Sequence, residues 1–92
     1  MAGSYTKNMT FFAVLKLVKS GHRHYHEPVY SESSYLQFED AHGNKYQWVA
    51  FRDGLACYKY KEGQTYAVQG RIKAVQPFRD MILLSNCKLS LV

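Results

Sequence analysis

Cysteine, proline and glycine are scarce in this chain, at two, two and six of 92 residues. Cys57 and Cys87 are too few for a disulfide framework or a zinc knuckle, so reduced thiols are expected. Repeats and low-complexity tracts are lacking too, and 47% apolar against 21% charged residues is the balance of a folded chain rather than a disordered one. The longest unbroken apolar run, Phe11 to Leu15, is five residues, far short of the roughly 20 that a membrane-spanning helix needs. Met1–Thr10 is polar, and Lys16 and Lys19 interrupt the apolar stretch after it. No secretory signal is therefore expected, and the cytoplasm is the expected compartment. Acidic residues are few: seven Asp and Glu against twelve Lys and Arg leave a net charge of +5, which suits a polyanionic partner. There is no nucleophile elbow, no Gly-rich phosphate loop and no metalloprotease helix motif. An enzyme is not expected, and neither is a cofactor.

What the chain has is aromatics: eight Tyr, five Phe and one Trp, 15% of its residues. Rings at that density favour strands, where they pack on a pleated surface. Residues 1–9 read as a flexible N-terminal leader, and 10–92 as a single domain, since two would leave neither half enough interior to bury. Thr10 to His26 can run as one long strand with Gly21 at its bend or bulge. Glu27 to Ser34, with Pro28 and three serines, reads as a loop. Tyr35-Leu-Gln-Phe-Glu39 and Lys45-Tyr-Gln-Trp-Val-Ala-Phe51 alternate with period two around the turn residues Asp40–Asn44, which predicts a β-hairpin. After an irregular stretch with room for a helical turn at Leu55–Tyr58, alternation resumes over Thr65–Val75. Tyr66, Val68, Gly70, Ile72 and Ala74 take one face there, and Ala67, Gln69, Arg71, Lys73 and Val75 the other. Pro77–Asp80 is a tight connection into a last strand, Met81–Leu91. Five strands with a long, bent first member and the widest gap between the third and fourth predict an all-β, five-stranded Greek-key barrel, partly open and of the oligonucleotide-binding (OB) type. An SH3-like barrel is the nearest competitor.

From Tyr35 to Leu89 the order of features resembles an OB-fold single-stranded DNA-binding-like domain of phage and plasmid replication proteins. The features are Phe38-Glu-Asp40, Gly43-Asn44 and Trp48, then Glu62-Gly63-Gln-Thr-Tyr66, Gly70-Arg-Ile-Lys73, Phe78-Arg79 and Leu84-Ser-Asn-Cys87-Lys88. This sequence departs from that pattern at Val75, where the family has His, at Met81-Ile82 in place of Gln-Thr, and at Asn86 in place of Arg. The resemblance implies an OB-like barrel tied to DNA replication or to the handling of single strands.

Binding a single strand requires flat surfaces for the bases and cations for the phosphates. In OB barrels that surface is the outer face of strands two and three with the flanking loops. If Val49 and Phe51 point inward, Tyr46, Trp48 and Arg52 project together onto this face, joined by Tyr35 and Gln37 from strand two, with Leu36 and Phe38 in the core. Lys45, Arg71, Lys73, Phe78 and Arg79 complete the expected nucleic-acid-binding set. The competing account makes the rings barrel core, and a single bulge inverts the parity of strand three. Fourteen aromatics nevertheless exceed what a barrel this small hides, so several are expected at the surface. His22, His24 and His26 alternate on one stretch and could converge on a metal. No carboxylate accompanies them, so a His-rich loop meeting phosphate is the preferred account and no metal is expected.

The expected function is therefore non-sequence-specific binding of single-stranded DNA, with RNA as an alternative ligand, in phage, plasmid or bacterial replication or recombination. So small a surface calls for a homodimer or higher homo-oligomer. The rival is a protein–protein interaction β-barrel module in a phage or secretion assembly, where exposed Tyr and Trp serve equally well.

Overall fold

A computed structural model describes residues 6–24, 32–51, 56–76 and 81–92, with Arg23, His24, Glu32, Phe51, Cys57 and Gln76 described by backbone alone. Five strands, β1 (Thr10–His24), β2 (Glu32–Glu39), β3 (Lys45–Phe51), β4 (Thr65–Gln76) and β5 (Met81–Leu91), and one helical turn, α1 (Ala56–Lys59), occur in the order expected from the sequence. The strands close into a barrel in the order β1-β2-β3-β5-β4. All pairings are antiparallel except that of β3 with β5. This is an OB-fold-like barrel, closed rather than partly open. Among the described residues no helix is long and apolar enough to cross a membrane.

β1 serves two neighbours because it is long. Thr10–Lys16 pair with β4, and Lys16–His24 pair with β2. The ladder with β4 starts before the strand, for Asn8 N–H donates to the Ile72 carbonyl at 2.7 Å and Ile72 N–H to that of Met9 at 2.9 Å. The irregularity in β1 lies at Val18, between Leu17 and Lys19, and not at Gly21, which pairs regularly with Tyr35. The reason is the turn before β4: Gly63 N–H donates to the Leu17 carbonyl at 2.7 Å, and Glu62 accepts the Ser20 N–H at 2.8 Å. Those bonds hold the chain where β1 leaves one partner for the other. The extra residue reverses parity: before it Phe11, Leu15 and Leu17 face the core, and beyond it Ser20 lies opposite Leu36.

β2 begins earlier than its serines suggest. Ser33 and Ser34, expected in a loop, are buried strand residues paired with Phe51 and Ala50. The core is built by Phe11, Leu15 and Leu17 of β1, Leu36 and Phe38 of β2, Tyr46 of β3, Val68 and Ile72 of β4, and Ile82 and Leu84 of β5. Full burial of each aliphatic or Phe side chain contributes about 1.5–3 kcal/mol.

Two further irregularities shape the β4–β5 pair. Between Gln69↔Lys88 and Arg71↔Ser85, β5 carries the extra residue, with Asn86 in the left-handed region at φ 52°. Between Ile72↔Leu84 and Ala74↔Leu83 the extra residue is Lys73 on β4. Parity changes at each. Val75, expected on the outer face with Lys73, therefore packs against the core, as do Cys87 and Leu89 beyond the other bulge.

Candidate nucleic-acid interface

β3 and β5 run together only from Lys45↔Met81 to Trp48↔Leu84. Past that point β3 continues beside β2 and β5 beside β4, so the two strands part and leave a groove of about 340 Å³. Trp48 and Val49 wall it from β3, Leu83, Ser85 and Asn86 from β5, and Lys73 reaches it from the bulge on β4. Bulges re-aim side chains, and both β4–β5 bulges contribute a residue here. Trp48 is half-buried and packs on the core while lining the groove. The indole is therefore anchored against the core at the edge of an open groove. Asn86 also lines a neighbouring shallow cleft with Thr10, Gln69, Arg71 and Lys88, so the ring-walled groove runs into a basic one.

The hairpin parity is the reverse of the arrangement that grouped Tyr46, Trp48 and Arg52 outward. Leu36 pairs with Trp48 and Phe38 with Tyr46, and residues directly opposite in a ladder share a face. With Leu36 and Phe38 in the core, Tyr46 must be inside as well. It is buried at 3% exposure, its ring 5.0 Å from that of Phe11. Its hydroxyl donates to Asp40 Oδ2 at 3.1 Å. The Asp40 carboxylate also accepts the N–H groups of His42 and Asn44 at 2.8 and 2.9 Å and the Asn44 side-chain amide at 2.9 Å. Burial alone would raise the Asp40 pKa, but these hydrogen bonds outweigh it and hold the carboxyl below its ordinary range.

The outer face of β2–β3 is thereby left to Tyr35, Gln37, Gln47 and Val49. Gln37 Nε2 donates to Gln47 Oε1 at 3.1 Å, and the Tyr35 ring lies over Gly21 across the ladder. Lys45 is exposed, but at the hairpin's end and opposite Glu39. Of the remaining expected contacts, Arg71 and Lys73 are exposed on β4. Arg52, Phe78 and Arg79 lie outside the described residues, as does His26. The His22 ring sits 6.2 Å from that of Tyr58, and the described residues contain no group of three or more metal-ligating side chains.

Sequence reasoning missed Phe12, Asn86 and Lys88. Phe12 was legible: Phe11 and Phe12 are adjacent on a strand, so one of them must face outward, and Phe12 is 66% exposed. Asn86 carried only a weak signal, the tolerance of Asn for left-handed backbone. The charge pattern reinforces the β4–β5 side. β1, β4 and β5 hold Lys16, Lys19, Arg23, Arg71, Lys73 and Lys88 and no carboxylate, whereas β2 and β3 hold Glu32 and Glu39 against Lys45. No family model, curated protein or solved structure matches this chain.

Proposed function

We propose that this chain binds single-stranded nucleic acid, DNA in the first instance, with little sequence preference. It would act in phage, plasmid or bacterial replication or recombination, in the cytoplasm of a bacterium or phage-infected cell, as a homodimer or higher oligomer. The observation that carries the reading is the groove where β3 and β5 part. It joins a half-buried indole, Trp48, to the cation Lys73 and continues through Asn86 to Arg71 and Lys88. A ring anchored on its inner side stacks a base without first losing side-chain freedom. Cations beside it neutralise the neighbouring phosphates. Stacking is worth about 1–3 kcal/mol per base and accepts any base, since every base has a π-face. No catalytic step belongs to this reading.

The test is the fluorescence of Trp48, the one tryptophan in the chain, during titration with an unlabelled thymidine oligomer at low and moderate salt. Quenching that weakens as salt rises is the expected result. An emission that ignores the oligomer, together with no binding by anisotropy of a labelled strand at low salt, would sink the reading. The second reading, a protein-interaction barrel in a phage or secretion assembly, draws on Phe12, Val14 and Val18, exposed in a row on the outer face of β1 at 66%, 54% and 40%. An interface built on that row would bind with little response to salt.

A further inference from the structure

The strand registers connect Phe12 to the basic cleft. On the outer surface Phe12 lies opposite Gln69, and Gln69 opposite Lys88. One step along the same faces, Thr10 lies opposite Arg71 and Arg71 opposite Ser85. The exposed ring of Phe12 is therefore diagonal to Arg71 and two strands from Lys88, beside the cleft that opens through Asn86 into the Trp48 groove. From β3 to β1 by way of β5 and β4 there are three inter-strand steps, about 14 Å at the usual spacing of sheet strands.

From this arrangement, and resting on the single-strand reading above, we infer that Phe12 is a second stacking station. The nucleic acid then crosses the barrel over β5, β4 and β1 instead of running along the outer face of β2 and β3. Trp48 takes a base at one end of the path and Phe12 at the other, with Arg71 and Lys88 on the phosphates between them. The path admits an unpaired strand of about four nucleotides, at the short end of what OB folds accommodate. A duplex does not fit it, because its bases are already stacked on one another. Charge selects a strand as the occupant over a second copy of this chain. The three strands that form the path carry no carboxylate, so two such faces would bring like charges together, whereas a polyanion meets only cations. The β2–β3 outer face offers instead a Gln37–Gln47 hydrogen bond and Glu39.

The experiment compares the wild type with Phe12→Ala and Phe12→Trp. It measures anisotropy of a labelled oligomer of about twelve thymidines, long enough to cover the path, and the oligomeric state in the same buffer. Phe12 is two-thirds exposed, so both variants should melt close to the wild type. Phe12→Ala should weaken binding about tenfold, the loss of one stacked base, while Trp48 is still quenched at saturating oligomer. Phe12→Trp should bind at least as tightly as the wild type, and in a Trp48→Phe background its indole should be quenched. Unchanged affinity in Phe12→Ala with Trp48 still quenched would put the strand on another course and overturn the inference. So would a Phe12→Ala variant that loses an oligomer and keeps its affinity per subunit, since the face would then belong to a second copy. Failure of the single-strand reading itself looks different: the wild type would neither bind nor show quenching.

Discussion

Gly70 and Gly21 each lie under a cross-strand neighbour, and the neighbours differ in what they can yield. A Cβ at Gly70 would meet the Ser85 carbonyl oxygen and Cys87 Sγ, each at 2.9 Å. The first is backbone, fixed by the bulge that aims Asn86 into the groove. The atoms nearest a Cβ at Gly21 are at the far end of the Tyr35 side chain, which yields more readily than backbone. Gly70→Ala should therefore cost about 1–3 kcal/mol, the usual penalty for overpacking a tight site, and Gly21→Ala clearly less. Urea denaturation of the two variants measures the difference, and equal losses would contradict the rigidity assigned to the β4–β5 bulge. Because that bulge shapes the groove, Gly70→Ala should also weaken strand binding, whereas Gly21→Ala should not. Burial pushes the thiol of Cys87, beside Gly70, up to about 12, so at neutral pH it is protonated and a poor nucleophile. At this scale the sequence is readable where a residue type has one use, as with Cys87 in an apolar strand. The adjacent phenylalanines of β1 are readable on the same terms, since a strand cannot bury both.

At the scale of elements, alternation marked β2, β3 and β4, but it did not say which face of β3 is inside. That was decided by the hairpin loop. Glu39 pairs with Lys45, and this odd-numbered loop puts Tyr46 and Trp48 opposite Phe38 and Leu36. A loop one residue longer or shorter would have produced the opposite face. Asp40 fixes the length by gathering His42, Asn44 and Tyr46 onto one carboxylate. The bulges at Val18, Lys73 and Asn86 were less legible. They come from the closure of the barrel and from the Glu62 turn, contacts distant in sequence that no local pattern encodes. The Asp40 network carries a pH signature. Its carboxyl lies below the usual 3.8, so the ionised form is favoured in the folded state. That contribution is complete above the unfolded value and is lost as pH falls from about 3.8 through the lower folded value. Asp40→Ala should lower the urea midpoint at neutral pH, and the gap from the wild type should narrow as pH falls below 3.8. A gap that stays constant down to acid would mean that the carboxylate's charge plays no part in holding the loop.

Across the whole molecule, charge is unevenly spread among the five strands, and on the single-strand reading this unevenness favours one of the two ways a strand could lie on the barrel. A path over β5, β4 and β1 engages Arg71, Lys73 and Lys88. A path along β2 and β3 has Lys45 beside Glu39. Phosphate contacts release counterions, and for single strands the slope of log affinity against log salt is about −0.7 per contact, so three cations give about −2. Neutralising Arg71 and Lys88 together should bring the slope to about −0.7 and weaken binding most at low salt. Neutralising Lys45 should leave the slope of the wild type nearly unchanged. Titrations at several salt concentrations with these variants separate the alternatives without reference to any aromatic residue. If Lys45 dominated the slope, the strand would lie along the hairpin face even though Tyr46 is buried beneath it, and Tyr35 would become the ring nearest the bases.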